Sequence, residues 1–268
     1  MKDVVPDLLK SIEKAFQIHT ENDRTLARVT KRIRDGTATQ EDGHEYAVRI
    51  GKDSSRALRD VLTEKNLPDG RLYYNIATRT VITTLENNQN LVNDAASKIQ
   101  KSQDKKKKIT LNAVRPKFPK NRVNDLIDKM TEDDITLDEA LVWIGEPIIN
   151  NSEAFFDDFI KENAEFRSKA GLKTTITRIA EPNCCEWCAK LEGSWEYGKE
   201  PSEVYARHEY CRCSVTYQTE KTSQNVWTKK TWESSPEELA KRANTKIFTT
   251  SVRERKEALE RLAKAKRR

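Results

Sequence analysis

The chain predicts an α+β fold, mainly α-helical, with long helices before a small cysteine-rich β module and a charged C-terminal helix. Three observations carry this. Of 268 residues, 34% are charged and 36% hydrophobic, with only eight glycines and eight prolines. That composition suits long solvated helices better than a sheet protein with many tight turns. Apolar residues then recur at helical spacing through most of the first 170 positions. Near Leu172 the pattern switches to alternating β-branched residues, and all five cysteines follow between Cys184 and Cys213.

Taken in order, residues 4–34 space Val5, Leu8, Leu9, Ile12, Phe16, Leu26, Val29 and Ile33 for a helix face, and Gly36 stops the pattern. Thr37 or Thr39 caps the next helix, with Asp42 three residues after Thr39 as its acidic partner. That helix runs through Tyr46, Ile50, Leu58 and Leu62 to a turn at Leu67-Pro68-Asp69-Gly70. A third helix uses Leu72, Ile76, Val81, Leu85, Leu91 and Ile99. Its asparagines between Asn87 and Asn93 weaken the helical pattern without ending it, because Asn competes for backbone hydrogen bonds. Together these make an N-terminal helical region, 1–100.

Residues 101–122 form a basic linker or an extended crossing segment. Lys105, Lys106, Lys107 and Lys108 are consecutive, and Arg115-Pro116-Lys117-Phe118-Pro119-Lys120 carries two prolines that forbid regular helix. A second helical region, 123–172, has pieces at 123–130, 137–145 and 147–169, with Phe155, Phe156, Ile160 and Phe166 as a core stripe. Lys173-Thr174-Thr175-Ile176-Thr177-Arg178-Ile179 alternates as a strand, and residues 212–217 as a second. The Cys/His module is thus 173–219. A polar linker and the charged helix, with Leu239, Val252, Leu259 and Leu262, fill 220–268.

Net charge is +6, unevenly spread. Residues 101–122 carry +8 and residues 251–268 carry +5, leaving about −7 on the rest. Segregated positive charge suits sequence-independent contact with the phosphates of double-stranded DNA, with Lys105, Lys106, Lys107, Lys108, Arg115, Lys117 and Lys120 as the candidate residues. The same runs also fit solvated helix faces. No segment approaches the ~18 apolar residues that span a bilayer. The first fourteen residues lack an apolar signal core, which predicts a reducing environment with thiols free or metal-bound.

The cysteine window reads Cys185-Glu-Trp-Cys188, nineteen residues, then His208-Glu-Tyr-Cys211-Arg-Cys213. Two thiolates three residues apart converge on one ion, and a His/Cys pair at the same spacing supplies the rest of a tetrahedron. The predicted structural zinc site draws on Cys185, Cys188, His208, Cys211 and Cys213. Either Cys211 or Cys213 completes it, since both fall on one face of an extended strand. Cys184, adjacent to Cys185, is left out. Packed free thiols or a redox pair are the competing interpretations. A zinc deaminase is disfavoured because His44-Glu45 lacks the intervening residue of H-x-E. A thioredoxin-like site lacks its βαβ context.

These motifs carry a resemblance. Residues 174–218, with Cys185-Glu-Trp-Cys188, Leu191-Glu-Gly193 and His208-Glu-Tyr-Cys211-Arg-Cys213, resemble the phage Mu F-like minor head protein domain, also called the phage head morphogenesis domain. The doubled Cys184-Cys185 and Asn225-Val226-Trp227 are similar to a subgroup from phages and prophages of Gram-positive bacteria. In that family the last motif often reads His-Pro-Asn-Cys-Arg-Cys; here Glu209 and Tyr210 replace Pro-Asn. The resemblance implies a non-enzymatic minor capsid protein, made in the bacterial cytoplasm and incorporated in the virion near the portal. Its implied partners are the portal protein, other capsid proteins and packaged DNA, with no membrane and no small-molecule substrate. Some family domains are fused to toxin or nuclease modules. The alternative is therefore a zinc-dependent hydrolase, nuclease or toxin-type effector built on the Cys/His module, with Glu186, Glu192 and His208 as its acid–base candidates.

Overall fold

Helix-forming sequence dominates the chain, and the structure, a computed structural model, follows it. Residues 3–182 and 184–220 are described; the expected C-terminal helix lies outside them. The fold is α+β and mainly helical, with one three-stranded antiparallel sheet.

The pattern over residues 4–34 forms two helices, α1 (Val5–Asn22) and α2 (Arg24–Arg34), instead of one. Asp23 separates them because its carboxylate accepts the Leu26 N–H at 2.9 Å, an N-cap that starts a new helix. Gly36 ends α2 at φ 69°, a left-handed position natural to glycine. Thr39 and Asp42 then form the anticipated reciprocal cap on α3 (Gln40–Val61). After a short 3-10 turn at Pro68–Gly70, α4 (Tyr74–Lys107) runs unbroken for 34 residues.

Along α4 one expectation is met and one is corrected. Its asparagines do not interrupt it. Buried Asn88 accepts from Ser54 Oγ at 2.7 Å and donates to Ser152 Oγ at 3.1 Å, so its amide bonds across the core and does not compete with its own backbone. The basic linker begins later than residue 101. Lys105, Lys106 and Lys107 form the last helical turn, where cations meet the negative end of the helix dipole. Lys108 leaves the helix at φ 55°. The chain then crosses the bundle without regular structure to Pro119. Asn163 holds the crossing by bonding both the N–H and the C=O of Val114 at 2.8 Å.

Next come α5 (Lys120–Met130), α6 (Leu137–Trp143) and α7 (Glu146–Lys169). Helix α3 lies against α7 at very close range. A Cβ on Gly43 would sit 2.5 Å from the Phe156 ring, and one on Gly51 would sit 2.8 Å from Ile149 Cα. Ala47, fully buried midway between them, completes a row of small residues on α3. This lets Phe155, Phe156, Phe159 and Ile160 of α7 reach the core beside Leu58 and Leu85. Each such side chain stabilises by roughly 1.5–3 kcal/mol through burial. Phe166, expected in the same stripe, is instead exposed.

The sheet order is β2-β1-β3, with β1 (Lys173–Ile179) central, β2 (Gly193–Glu196) and β3 (Ser214–Glu220). Strand β1 buries Thr174, Ile176 and Arg178 on one face, opposite Thr219, Tyr217 and Val215 of β3. That face packs on the helices and joins their core through Ile176 and Val215. The outer edge of β3 is also covered. Gln40 accepts the Tyr217 N–H at 2.6 Å, and Lys107 Nζ donates to the Thr219 carbonyl at 3.0 Å. The described residues belong to one compact unit, 1–222, so the regions read over residues 1–219 are stretches of chain within one body.

Candidate metal centre

The first half of the site follows β1. Cys185 caps a five-residue helix, α8 (Glu186–Lys190), and its Sγ accepts the Cys188 N–H at 3.4 Å. That tight turn aims both sulfurs the same way. The second half follows β2 and a short 3-10 turn at Ser202–Tyr205. Cys211 N–H bonds back to the His208 carbonyl at 3.1 Å, and Tyr210 between them takes φ 60°. The two tight turns face each other.

Two groups of three donors result, and both are placed to hold a metal ion: Cys185, Cys188 and His208, and Cys188, Cys211 and Cys213. Within each group the ligand atoms lie within 4.8 Å of one another. Cys188 belongs to both. His208 Nε2 lies 3.2 Å from Cys185 Sγ and 3.1 Å from Cys188 Sγ, while Cys188 Sγ is 3.7 Å from Cys211 Sγ. A tetrahedron with Zn–S near 2.3 Å sets its sulfurs about 3.8 Å apart.

The imidazole is oriented for ligation. Its Nδ1 lies 2.6 Å from the Glu209 carbonyl, which only accepts, so Nδ1 carries the proton. In the neutral ring Nε2 is then a bare lone pair, and two sulfurs face it. One ring nitrogen cannot hydrogen-bond both well; a cation among the three satisfies all of them. A second ring nitrogen donating to a carbonyl is the usual support of a metal-bound histidine. The donors fit zinc in softness and number. Trp187, half-exposed, stands edge-on to the ring at 5.8 Å.

The thiols differ in proton affinity. The Cys188 N–H lowers the Cys185 thiol below its ordinary value. Burial pushes the Cys188 thiol up to about 12, with Arg178 acting in the opposite direction. Cys184 is partly buried against Cys188, Cys211 and Cys213 but belongs to neither donor group. Cys211 and Cys213 are both buried, yet neither lies in a strand, which corrects the expectation for residues 212–217. β1 ends at Ile179 opposite Ser214, so no partner remains for the two residues before it.

Sequence reasoning missed what holds the second turn. Arg207, next to His208, donates to Asp157, and Arg212, between the last two cysteines, pairs with Glu146 at 2.6 Å. Both also approach Glu153 Oε2 at 3.5 Å. Glu146, Glu153 and Asp157 lie on one face of α7, an acidic row at helical spacing. The signal was available: three acids at positions i, i+7 and i+11 of a helix also rich in phenylalanine. Burial pushes the Glu153 carboxyl up to about 7 despite the arginines, and pushes Asp157 up as well. His44, also buried there, is held well below its usual range by burial and by the two arginines.

The basic candidates do not form one patch. Lys105, Lys108 and Arg115 share a cleft with Lys101, and Arg115 pairs with Asp94. Lys106 and Lys107 line a different cleft beside β3. Lys117 is exposed, and Lys120 opens α5. Among the described residues no helix is long and apolar enough to cross a membrane. No family model, curated protein or solved structure matches the chain.

Proposed function

We propose that Cys185, Cys188, His208 and one of Cys211 and Cys213 hold a single structural zinc ion. The ion would join the turn before α8 to the turn before β3, two segments that share no strand pairing. Its chemistry there is cross-linking: it replaces a core that so small a sheet module cannot build. Four protein donors leave no coordination position for a substrate, which favours a structural over a catalytic site. The local acid candidates point the same way, since Glu186 is exposed and spans to Lys190 at 2.8 Å. The observation that carries the reading is His208 Nε2 facing two sulfurs while Nδ1 lies on the Glu209 carbonyl. Metal analysis of the purified chain tests it. One zinc per chain is expected, with chelation lowering the melting temperature; metal-free protein whose melting ignores added zinc overturns it.

We further propose that the chain is a non-enzymatic minor head protein of a phage, working at the portal in head assembly and DNA packaging or delivery. The support is the motif resemblance over residues 174–218. The long helices, which present charged faces, suit packing against a larger partner, and the Lys101, Lys105, Lys108 and Arg115 cleft suits phosphate contact. Co-expression with a phage portal protein tests this. Recovery of both on a tagged portal, and of the chain in purified heads, is expected. Absence from heads, or metal-dependent cleavage of DNA or RNA by the purified chain, favours the effector alternative.

A further inference from the structure

Four arginines are buried or nearly so around the module and its helical support, and three have carboxylate partners. Arg167 pairs with Asp104, Arg207 with Asp157 and Arg212 with Glu146. Arg178 is the exception. It is 1% exposed, yet among the described residues no carboxylate lies at ion-pair distance from it. Its Nη1 donates to the carbonyls of Val204 and Ala206, and its Nη2 reaches Cys188 Sγ at 3.6 Å and Cys211 Sγ at 3.7 Å. The Trp187 ring lies 5.7 Å from the guanidinium carbon. Asp157 acts on it only from beyond ion-pair distance and is itself held by Arg207; a buried guanidinium whose direct partners are all neutral is costly, because its charge has left water with little compensation.

We infer that Arg178 is the counter-charge of a monoanionic Cys3His metal centre and that it selects Cys211, not Cys213, as the third thiolate. The inference rests on the proposed metal site. Three thiolates and a neutral imidazole around a divalent ion sum to −1, which one guanidinium balances. Hydrogen bonds from Nη2 favour the sulfurs that carry negative charge, and those are Cys188 and Cys211. The Cys188–Cys211 separation of 3.7 Å matches one edge of the tetrahedron. Cys213 is then a buried thiol outside the coordination sphere. Arg178 also fixes the approach of the histidine, since the carbonyls it holds lie two and four residues before His208. It is a positioning residue near the end of the central strand β1, tied to both turns at once.

Cobalt(II) titration of the full chain, read by ligand-field and thiolate charge-transfer absorption, tests this. The variants are Cys211→Ser, Cys213→Ser, Arg178→Gln and Arg178→Lys. The wild type is expected to bind one cobalt with a tetrahedral spectrum. Cys213→Ser should keep that spectrum, and Cys211→Ser should lose about a third of the charge-transfer intensity. Arg178→Gln should bind about 10–100-fold more weakly, the usual cost of losing a supporting partner. Because Arg178→Gln also strips a donor from two carbonyls, Arg178→Lys runs beside it and should recover part of the affinity by restoring the charge. Intensity lost in Cys213→Ser but kept in Cys211→Ser overturns the ligand selection. Both Arg178 variants binding like wild type, or Arg178→Lys binding no better than Arg178→Gln, overturns the counter-charge. A wild type that takes up no cobalt and no zinc sinks the metal site itself, a distinct failure.

Discussion

Arg207 grips Asp157 with two hydrogen bonds, Nε to Oδ2 at 2.5 Å and Nη2 to Oδ1 at 2.9 Å, and so clamps the residue beside His208 to helix α7. Both side chains are almost fully buried. Asp157→Ala leaves the guanidinium without its main partner and should cost about 3–5 kcal/mol in urea unfolding. The double variant Asp157→Ala/Arg207→Ala should be less destabilised than the sum of the two single changes.

Glu153 and His44 give the fold an opposed pH response. The native Glu153 carboxyl titrates at about 7, above its ordinary 4.5, so folding favours its protonated form. Its contribution is fully present below pH 4.5 and is lost as pH rises through 7. His44 is depressed below 6.5, so folding favours its neutral form, and its contribution is lost as pH falls below 6.5. Below pH 6.5 the two slopes oppose each other. In Glu153→Gln the stability difference from wild type should rise by up to about 1.4 kcal/mol per pH unit between 5 and 7. In His44→Gln the difference should change in the opposite sense below 6.5. Denaturant midpoints across pH 5–8 measure both.

Tyr210 occupies a left-handed position at φ 60° and is largely exposed. A residue with a Cβ pays about 1–2 kcal/mol there, and Asn pays less because it bonds locally. Tyr210→Gly and Tyr210→Asn should each stabilise the protein by about 1 kcal/mol, read as a higher melting temperature with unchanged metal content.

The α3–α7 contact admits no side chain at two points. Gly51→Val sets a Cβ against the Ile149 backbone, which cannot swing aside as a flexible side chain would. We expect a loss of about 1–3 kcal/mol or more from overpacking. At the exposed Gly198, where nothing lies within 4 Å of a Cβ but φ is +88°, Gly198→Ala should cost only the backbone strain, about 1 kcal/mol. Comparing the two by calorimetry separates crowding from conformation.

Much of this was legible locally. Thr39 and Asp42 announced a capped helix, the alternation from Thr174 to Arg178 announced a strand, and the spacing of Cys185, Cys188 and His208 announced donors that the fold does bring together. What was not legible depends on tertiary partners. The break at Asp23 hides inside continuous apolar spacing. Asn88 is kept in its helix by Ser54 and Ser152, residues far away in sequence. β2 is four residues long, too short for its alternation to register. Arg178 was visible as a cation on the buried face of β1, but its meaning requires the sulfurs of Cys188 and Cys211 beside it. The choice between Cys211 and Cys213 was likewise closed to spacing alone, because the chain turns before β3 begins.

The most direct test of the central claim is zinc-edge X-ray absorption on the full chain, purified without added metal. The account predicts a first shell of three sulfurs near 2.3 Å and one nitrogen at about 2.0–2.1 Å, one ion per chain. An oxygen-dominated shell, or a chain that carries no zinc and keeps the same hydrogen-exchange protection over residues 174–220 when zinc is supplied, contradicts it.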